Sequence, residues 1–492
     1  MLVTGVALTV TIATLASQTT VALIAVTGVV ALAMLVAPKP ALAATGVFLL
    51  LQTPIVNLAG GRASPVGLAL QRVPEVLLVV GVVRIGVLWR QVRALRVPPW
   101  PLRFLAVFVG AGVISAFLNH VPLFVTALGA FLALKTWLFM LLALTVPWSE
   151  RDASLLTGAV IGFGPVLLIF SVLLLAVPVE HLTLFADPAA IQEGYFQRGA
   201  LRSLQGPFPN PGVCGWLFAV CGCYGLAATI ARQTIRGSVG ALLSLGGVVG
   251  SLRRKPLLGL PIAAVTAVWA NGSWRQRWAI LGLIILLGGA AMTVGRRQVN
   301  AIVEDTKAGY LDPYAPTGAR TVLYAVGWSI ARDRFPLGAG FGRFGGYVSE
   351  IRYSPIYDEY GISNVWGLSP EFPGYIEDTY WPHLLGESGW LGTLAMLLAL
   401  AALWSALSGV AKAGRGGRQI LAFAVCMVLV EALVESVSAP VFETSLQAFV
   451  VGIPIGMVLV LGQSQGPTLE SSPQQVSAEP TLAPRSTPLE AQ

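Results

Sequence analysis

His383 and Glu387 stand four residues apart, where a long polar stretch gives way to an apolar one. In a helix that spacing stacks two side chains on one face. An imidazole that can take a proton would then meet a carboxylate that can orient it or act as the base itself. An interfacial histidine beside a helix-end carboxylate would show the same spacing. Three basic groups are the other candidates. Arg198 and Arg202 precede the turn Gly206-Pro-Phe-Pro-Asn210-Pro-Gly212, Arg253-Arg254-Lys255 separates two apolar runs, and Arg320 opens an amphipathic stretch through Trp328, Ile330 and Arg332 to Pro336. Guanidinium groups beside a backbone turn can hold phosphate oxygens through bidentate contacts; solvated turn arginines are the plainer reading. Just before His383, the stretch from Tyr353 through Tyr357, Trp366 and Tyr375 to Tyr380 and Trp381 is aromatic and acidic. Such a stretch suits sugar rings and hydroxyls, and equally an aromatic belt at a lipid interface.

The elements that must position these groups are set by composition. Of 492 residues, 55% are hydrophobic and 11% charged, with a mean hydropathy of +0.75, far outside the range of soluble globular proteins. The expected class is an all-α polytopic membrane protein. Apolar runs long enough to cross a hydrocarbon core of about 30 Å recur along the chain and give about 12–14 transmembrane helices with one large extracytoplasmic loop. The expected order is N-terminal helices in 1–178, an extracytoplasmic loop 179–211, helices in 212–294, the large loop 295–384, C-terminal helices in 385–462 and a disordered cytoplasmic tail 463–492. The opening MLVTGVALTV, without a basic start, reads as a retained first helix.

Short turns carrying Lys39, Arg90, Arg93, Arg96, Arg103, Arg151, Arg232, Arg236, Arg275, Arg277, Lys412, Arg415 and Arg418 fall on one side if both termini are cytoplasmic, as the positive-inside rule requires. That orientation leaves Arg253-Arg254-Lys255 on the outer side, against the bias. Either a short helix near 237–251 is re-entrant or the cluster is a cationic site for a phosphate-bearing ligand. The net charge of +8 is then topological or directed at membrane lipids, and nucleic acid is not an expected partner. Cys214, Cys221 and Cys223 share one apolar run and Cys426 lies in another, a pattern of buried reduced thiols with no metal-ligand spacing. The run Gly338-Ala-Gly340-Phe-Gly342-Arg343-Phe344-Gly345 lacks the preceding strand of a dinucleotide site and reads as a flexible turn over the membrane surface.

These features in this order resemble the O-antigen ligase and polysaccharide polymerase superfamily, bacterial inner-membrane glycosyltransferases that use polyprenyl-diphosphate-linked glycans. The likeness spans roughly 195–440. It rests on an arginine before a Gly-Pro-Phe-x-Asn-Pro turn, a basic turn between later helices, an Arg-opened helix ending in Pro336-Leu-Gly-Ala-Gly340, and His383 before Glu387-Ser-Gly389-Trp-Leu-Gly392. The resemblance implies a GT-C-like membrane enzyme, multi-pass in the bacterial cytoplasmic membrane. Its partners would be a polyprenyl-diphosphate-linked oligosaccharide and a glycan or lipid acceptor, and it would need no metal or other cofactor. By position, Arg202, with Arg198 as rival, and Arg253 or Arg254 would face the diphosphate, and His383 with Glu387 would handle the acceptor proton. Arg320, Asn210, Tyr380 and Trp381 would line the substrate site. Leu384 follows His383 where many members have Asn, which leans the expectation from ligase to polymerase. A lipid-linked glycan flippase or other transporter would also need a cationic cavity, but the internal repeats expected of one are not seen.

Overall fold

Proline placement and a few buried charges decide where the apolar runs bend. The computed structural model describes residues 20–95, 97–186, 191–192, 194, 196–198, 201–232, 234–271, 273–275, 277–278, 282 and 318–463. The first apolar run, most of the run 277–294, the large loop up to 317 and the tail from 464 lie outside the described residues. The helices are α1 (Thr20–Val36), α2 (Pro38–Leu50), α3 (Gln52–Leu58), α4 (Pro65–Gln71), α5 (Val73–Val87), α6 (Trp89–Ala94), α7 (Pro99–Leu118), α8 (Leu123–Ala133), α9 (Lys135–Leu144) and α10 (Glu150–Leu174). After a two-residue hairpin, Gln197–Arg198 with Leu201–Arg202, come α11 (Pro211–Arg232), α12 (Ile235–Gly250), α13 (Arg254–Asn271), α14 (Ala319–Asp333), α15 (Tyr347–Ile351), α16 (Ile356–Glu359), α17 (Trp381–Ala413), α18 (Gly416–Glu435) and α19 (Ser445–Gln463).

Among the described residues, 6 helices are long and apolar enough to cross a bilayer, or up to 9 if each of three bent pairs is one crossing. The chain is thus a mostly helical, membrane-type protein. Runs that look continuous in sequence are broken: α2 and α3 meet at 74°, α4 and α5 at 48°, α8 and α9 at 62°. Pro54 and Pro74 explain the first two. Each lacks the N–H that would reach the carbonyl four residues back, at Leu50 and Leu70, so the preceding helix stops there. At the third break Lys135 leaves the apolar run to pair with Glu75 Oε1 at 3.1 Å and Ser445 Oγ at 3.2 Å.

The centre of the bundle is made by α11, α18 and α19, whose spanning windows are 72–83% buried, against 22% for α10 and 39% for α7. Among the described residues α7 and α10 leave most of their apolar surface exposed, as suits helices that face lipid. Small residues allow the close approaches: on α19, a Cβ at Gly452 or Gly456 would collide with the backbone of α9. The four cysteines are free and buried, as expected. Residues 319–376 build a core of their own from Leu323, Ile330, Phe344, Ile356, Tyr357, Leu368 and Ile376. That unit sits on the start of α17, where Gly327 meets Pro382 and Arg320 pairs with Asp378 at 2.5 Å.

Candidate functional site

The site is organised by a break in α17. Gly389, at φ 65 and ψ −164, is non-helical inside this 33-residue element, a conformation that favours glycine. The break removes helical partners from the carbonyls just before it, and the glycine-rich segment supplies replacements. Ala339 N–H donates to Gly386 O at 2.7 Å, Gly340 N–H donates to Glu387 O at 2.9 Å, and Leu391 N–H donates to Pro336 O at 3.2 Å. Ser115 Oγ of α7 donates to Gly338 O, as does Asn119 Nδ2 at 3.1 Å. Glycine is needed at 338 for room, since a Cβ there would lie 2.3 Å from Gly386 O. The segment expected to be a flexible surface turn is therefore packed backbone to backbone against a spanning helix.

This packing encloses both residues singled out by spacing. His383 is 4% exposed and Glu387 1%. Glu387 Oε1 accepts the Phe344 N–H at 3.0 Å and lies 3.7 Å from His383 Nδ1. His383 Nδ1 is 2.6 Å from Phe344 O. A carbonyl can only accept, so Nδ1 carries a proton, and the other ring nitrogen faces a third residue. Glu443 Oε1 stands 3.1 Å from Nε2. With Nδ1 committed to Phe344 O, Nε2 and this carboxylate oxygen are the two facing atoms of the group left to receive a proton. Gly346 lies close against the ring, where a Cβ would come within 2.6 Å of Cε1. A crevice too narrow to hold a water molecule runs along this group, lined by Gly129, Gly342, Gly346, His383, Glu387 and Glu443 among others.

Glu443 is placed by the turn between α18 and α19. Its N–H and that of Thr444 donate to Pro440 O, each at 2.9 Å. The α8–α9 break anchors the turn: Thr136 Oγ1 donates to Phe442 O at 2.7 Å and Lys135 reaches Ser445. Phe442 also packs on Tyr380 at 5.1 Å. Further acids lie nearby in the loop. Burial first, then Glu350, Glu443 and Asp378, push the Glu377 carboxyl up to about 7 against the opposing pull of Lys135. Burial also raises Glu350. Glu377 can thus take up a proton near neutrality.

The remaining candidates are distributed rather than gathered. Arg202 donates to Leu174 O at 3.2 Å, to Leu175 O at 3.2 Å and to Val177 O, closing the C-terminal end of α10, where carbonyls and dipole favour a cation. No hydrogen bond or ion pair of Arg202 reaches His383. Arg198 pairs through its backbone with Leu201 in the hairpin; its side chain is outside the described residues. Asn210 Oδ1 accepts from the N–H groups of Gly212 at 2.9 Å and Val213 at 3.2 Å, which is the capping contact that starts α11. Arg253 and Arg254 stand half-buried at the turn into α13, after Leu252 at φ 53. Lys255 beside them pairs with Glu435 Oε1 at 2.6 Å and donates to Ser438 O at 3.0 Å.

Tyr380 is buried, and Trp381 Nε1 donates to Ser436 Oγ at 3.0 Å. Both are packing residues next to His383. The other aromatics mostly pack on each other, Trp366 lying 5.3 Å from Phe372 and 5.1 Å from Tyr375.

Glu443 is the residue that sequence reasoning passed over. Its signal was present: an acid inside the apolar Ala439-Pro-Val-Phe-Glu443 stretch, where a membrane-embedded charge is a functional candidate by default. Glu431 and Glu435, one turn apart on α18 and both buried, carried the same signal. Among the described residues no group of three or more His, Cys, Asp or Glu is arranged to hold a metal ion. Comparison with protein-family models and with curated proteins found no match to this chain.

Proposed function

We propose that this chain is a membrane glycosyltransferase acting at the extracytoplasmic face on a polyprenyl-diphosphate-linked glycan, with the His383–Glu443 pair as the proton acceptor. The observation that carries this reading is the enclosed imidazole, fixed through Nδ1 by Phe344 O and facing Glu443 Oε1 at 3.1 Å from Nε2. A histidine held on one nitrogen and facing a carboxylate through the other has the geometry for general-base work. In the reaction an acceptor hydroxyl oxygen bonds to the anomeric carbon, and the bond from that carbon to the diphosphate oxygen breaks. The hydroxyl proton passes to the His383–Glu443 pair, and the electron pair leaves with the diphosphate. Negative charge then grows on the leaving group, and fixed guanidiniums in a poorly hydrated site stabilise such charge. The resemblance assigns that role to Arg202, with Arg198 as rival, and to Arg253 or Arg254; since Arg202 is engaged at the end of α10, the role falls to Arg253 or Arg254. Glu387 orients the site through the Phe344 N–H rather than acting as the base.

The test supplies a purified lipid-diphosphate glycan to the purified chain in bilayers. A longer lipid-linked chain identifies a polymerase, and a new conjugate identifies a ligase. Unchanged donor moved across the bilayer would replace this reading with a flippase.

A further inference from the structure

One arginine that no sequence argument selected is Arg343, inside the glycine-rich segment. Its neighbours form the wall of the crevice: Gly342 lines it, and the Phe344 N–H holds Glu387. The side chain is half-buried, and its Nε is enclosed without a hydrogen-bond partner. Other arginines of this region have partners. Arg320 pairs with Asp378, and Arg334 donates to Asn119 Oδ1 and to both oxygens of Glu359, at 2.7 and 2.9 Å. Arg343 is held below the usual arginine range, first by burial and then by the charge of Arg334, while Glu359 and Glu387 act the other way. A guanidinium that is partly desolvated, repelled by a second one and without a carboxylate in direct contact gains from an anionic group that would hydrogen-bond to it. Paired guanidiniums match the planar fork of a carboxylate or two oxygens of a phosphate.

We infer that Arg343, with Arg334 beside it, forms an oxyanion-binding site at the edge of the His383 crevice, taking a phosphate or carboxylate group of the ligand that reaches that histidine. This deepens the glycosyl-transfer reading by giving the same site an anionic ligand group. It is tested by binding, without turnover. The full chain in phosphatidylcholine nanodiscs is titrated calorimetrically with inorganic pyrophosphate and, separately, with digalacturonate. The tighter of the two names the source, a lipid diphosphate or an acidic sugar. Arg343→Gln should weaken that binding about tenfold or more, and Arg343→Lys less, because lysine keeps the charge and loses the fork. Glu359→Gln frees Arg334 and removes a competing carboxylate, so it should tighten binding by roughly threefold or more, a gain that misfolding cannot produce. Wild-type affinity in Arg343→Gln, or no binding of either probe to the unaltered chain at millimolar concentration, overturns the assignment. A chain that binds through Arg343 yet transfers no glycan refutes the glycosyltransferase reading and leaves this site standing.

Discussion

Adding one methyl group at Gly346 probes the site without altering any ionisable side chain. The backbone there is unstrained for alanine, with φ −123, so the effect is steric. The new Cβ would fall 2.6 Å from His383 Cε1 and 2.9 Å from Nδ1. Relaxed carbon contacts begin near 3.5 Å, so the ring must yield by about 0.8–1 Å. A shift of that size across the 2.6 Å contact to Phe344 O and the 3.1 Å contact to Glu443 takes at least one of them outside hydrogen-bonding range. Misplacing a catalytic group by about 1 Å costs on the order of 10²-fold in rate, whereas overpacking of this kind costs about 1–3 kcal/mol of stability. Gly346→Ala should therefore leave the chain folded and lower glycan transfer, measured at saturating donor, by about 10²-fold. Gly374→Ala is the control in the same loop, since its Cβ would meet nothing closer than Phe372 Cζ at 3.8 Å. Wild-type transfer by Gly346→Ala, or an equal loss in Gly374→Ala, would refute the role given to the imidazole.

Glu443→Gln keeps a hydrogen-bonding partner for Nε2 but cannot accept a proton; transfer should fall about 10²-fold or more with the unfolding midpoint in detergent little changed. For Glu377 the fold raises an acid to about 7, so the native state binds more protons than the unfolded one between the ordinary carboxylate range and that value. Stability from this group is full at the acid end and declines as pH rises toward neutrality; the midpoint of the unaltered chain should drop between pH 5 and 7, and Glu377→Gln should flatten that slope. Arg202→Ala removes the donors closing α10 and should cost about 1–2 kcal/mol in thermal unfolding; transfer lost at unchanged stability would instead mark Arg202 as a direct ligand contact. Lys255→Ala strands Glu435 and should cost about 2–3 kcal/mol, most of it recovered in Lys255→Ala with Glu435→Gln.

What the sequence revealed was mainly what is local. Asn210 announced a turn and caps the helix that follows, because both partners lie within three residues. The four-residue spacing placed His383 and Glu387 on one face of a helix turn, as the structure has them. The glycine run misled because glycine is written the same way whether it supplies conformational freedom or empty space; Gly338 and Gly346 serve the second purpose. Glu443 and Phe344 O meet His383 from segments distant in the chain, and no periodicity encodes such a meeting. The cluster at Arg253-Arg254-Lys255 stood out against the charge bias of the other turns, and the acid that faces Lys255 could not be foreseen because it sits far along the chain on α18.

The break at Gly389 has a consequence for how the molecule is made. Carbonyls interrupted inside a spanning helix cannot be left facing hydrocarbon. Their donors, on Ala339 and Gly340, precede α17 in the chain and so leave the ribosome first. When α17 enters the bilayer, the strip of polar backbone that completes it has already been synthesised. A truncation or graft that delivers α17 without residues 336–340 would insert a helix with bare carbonyls at the break, so the transferable unit for engineering this region begins at Pro336, well before the apolar run that hydropathy would select.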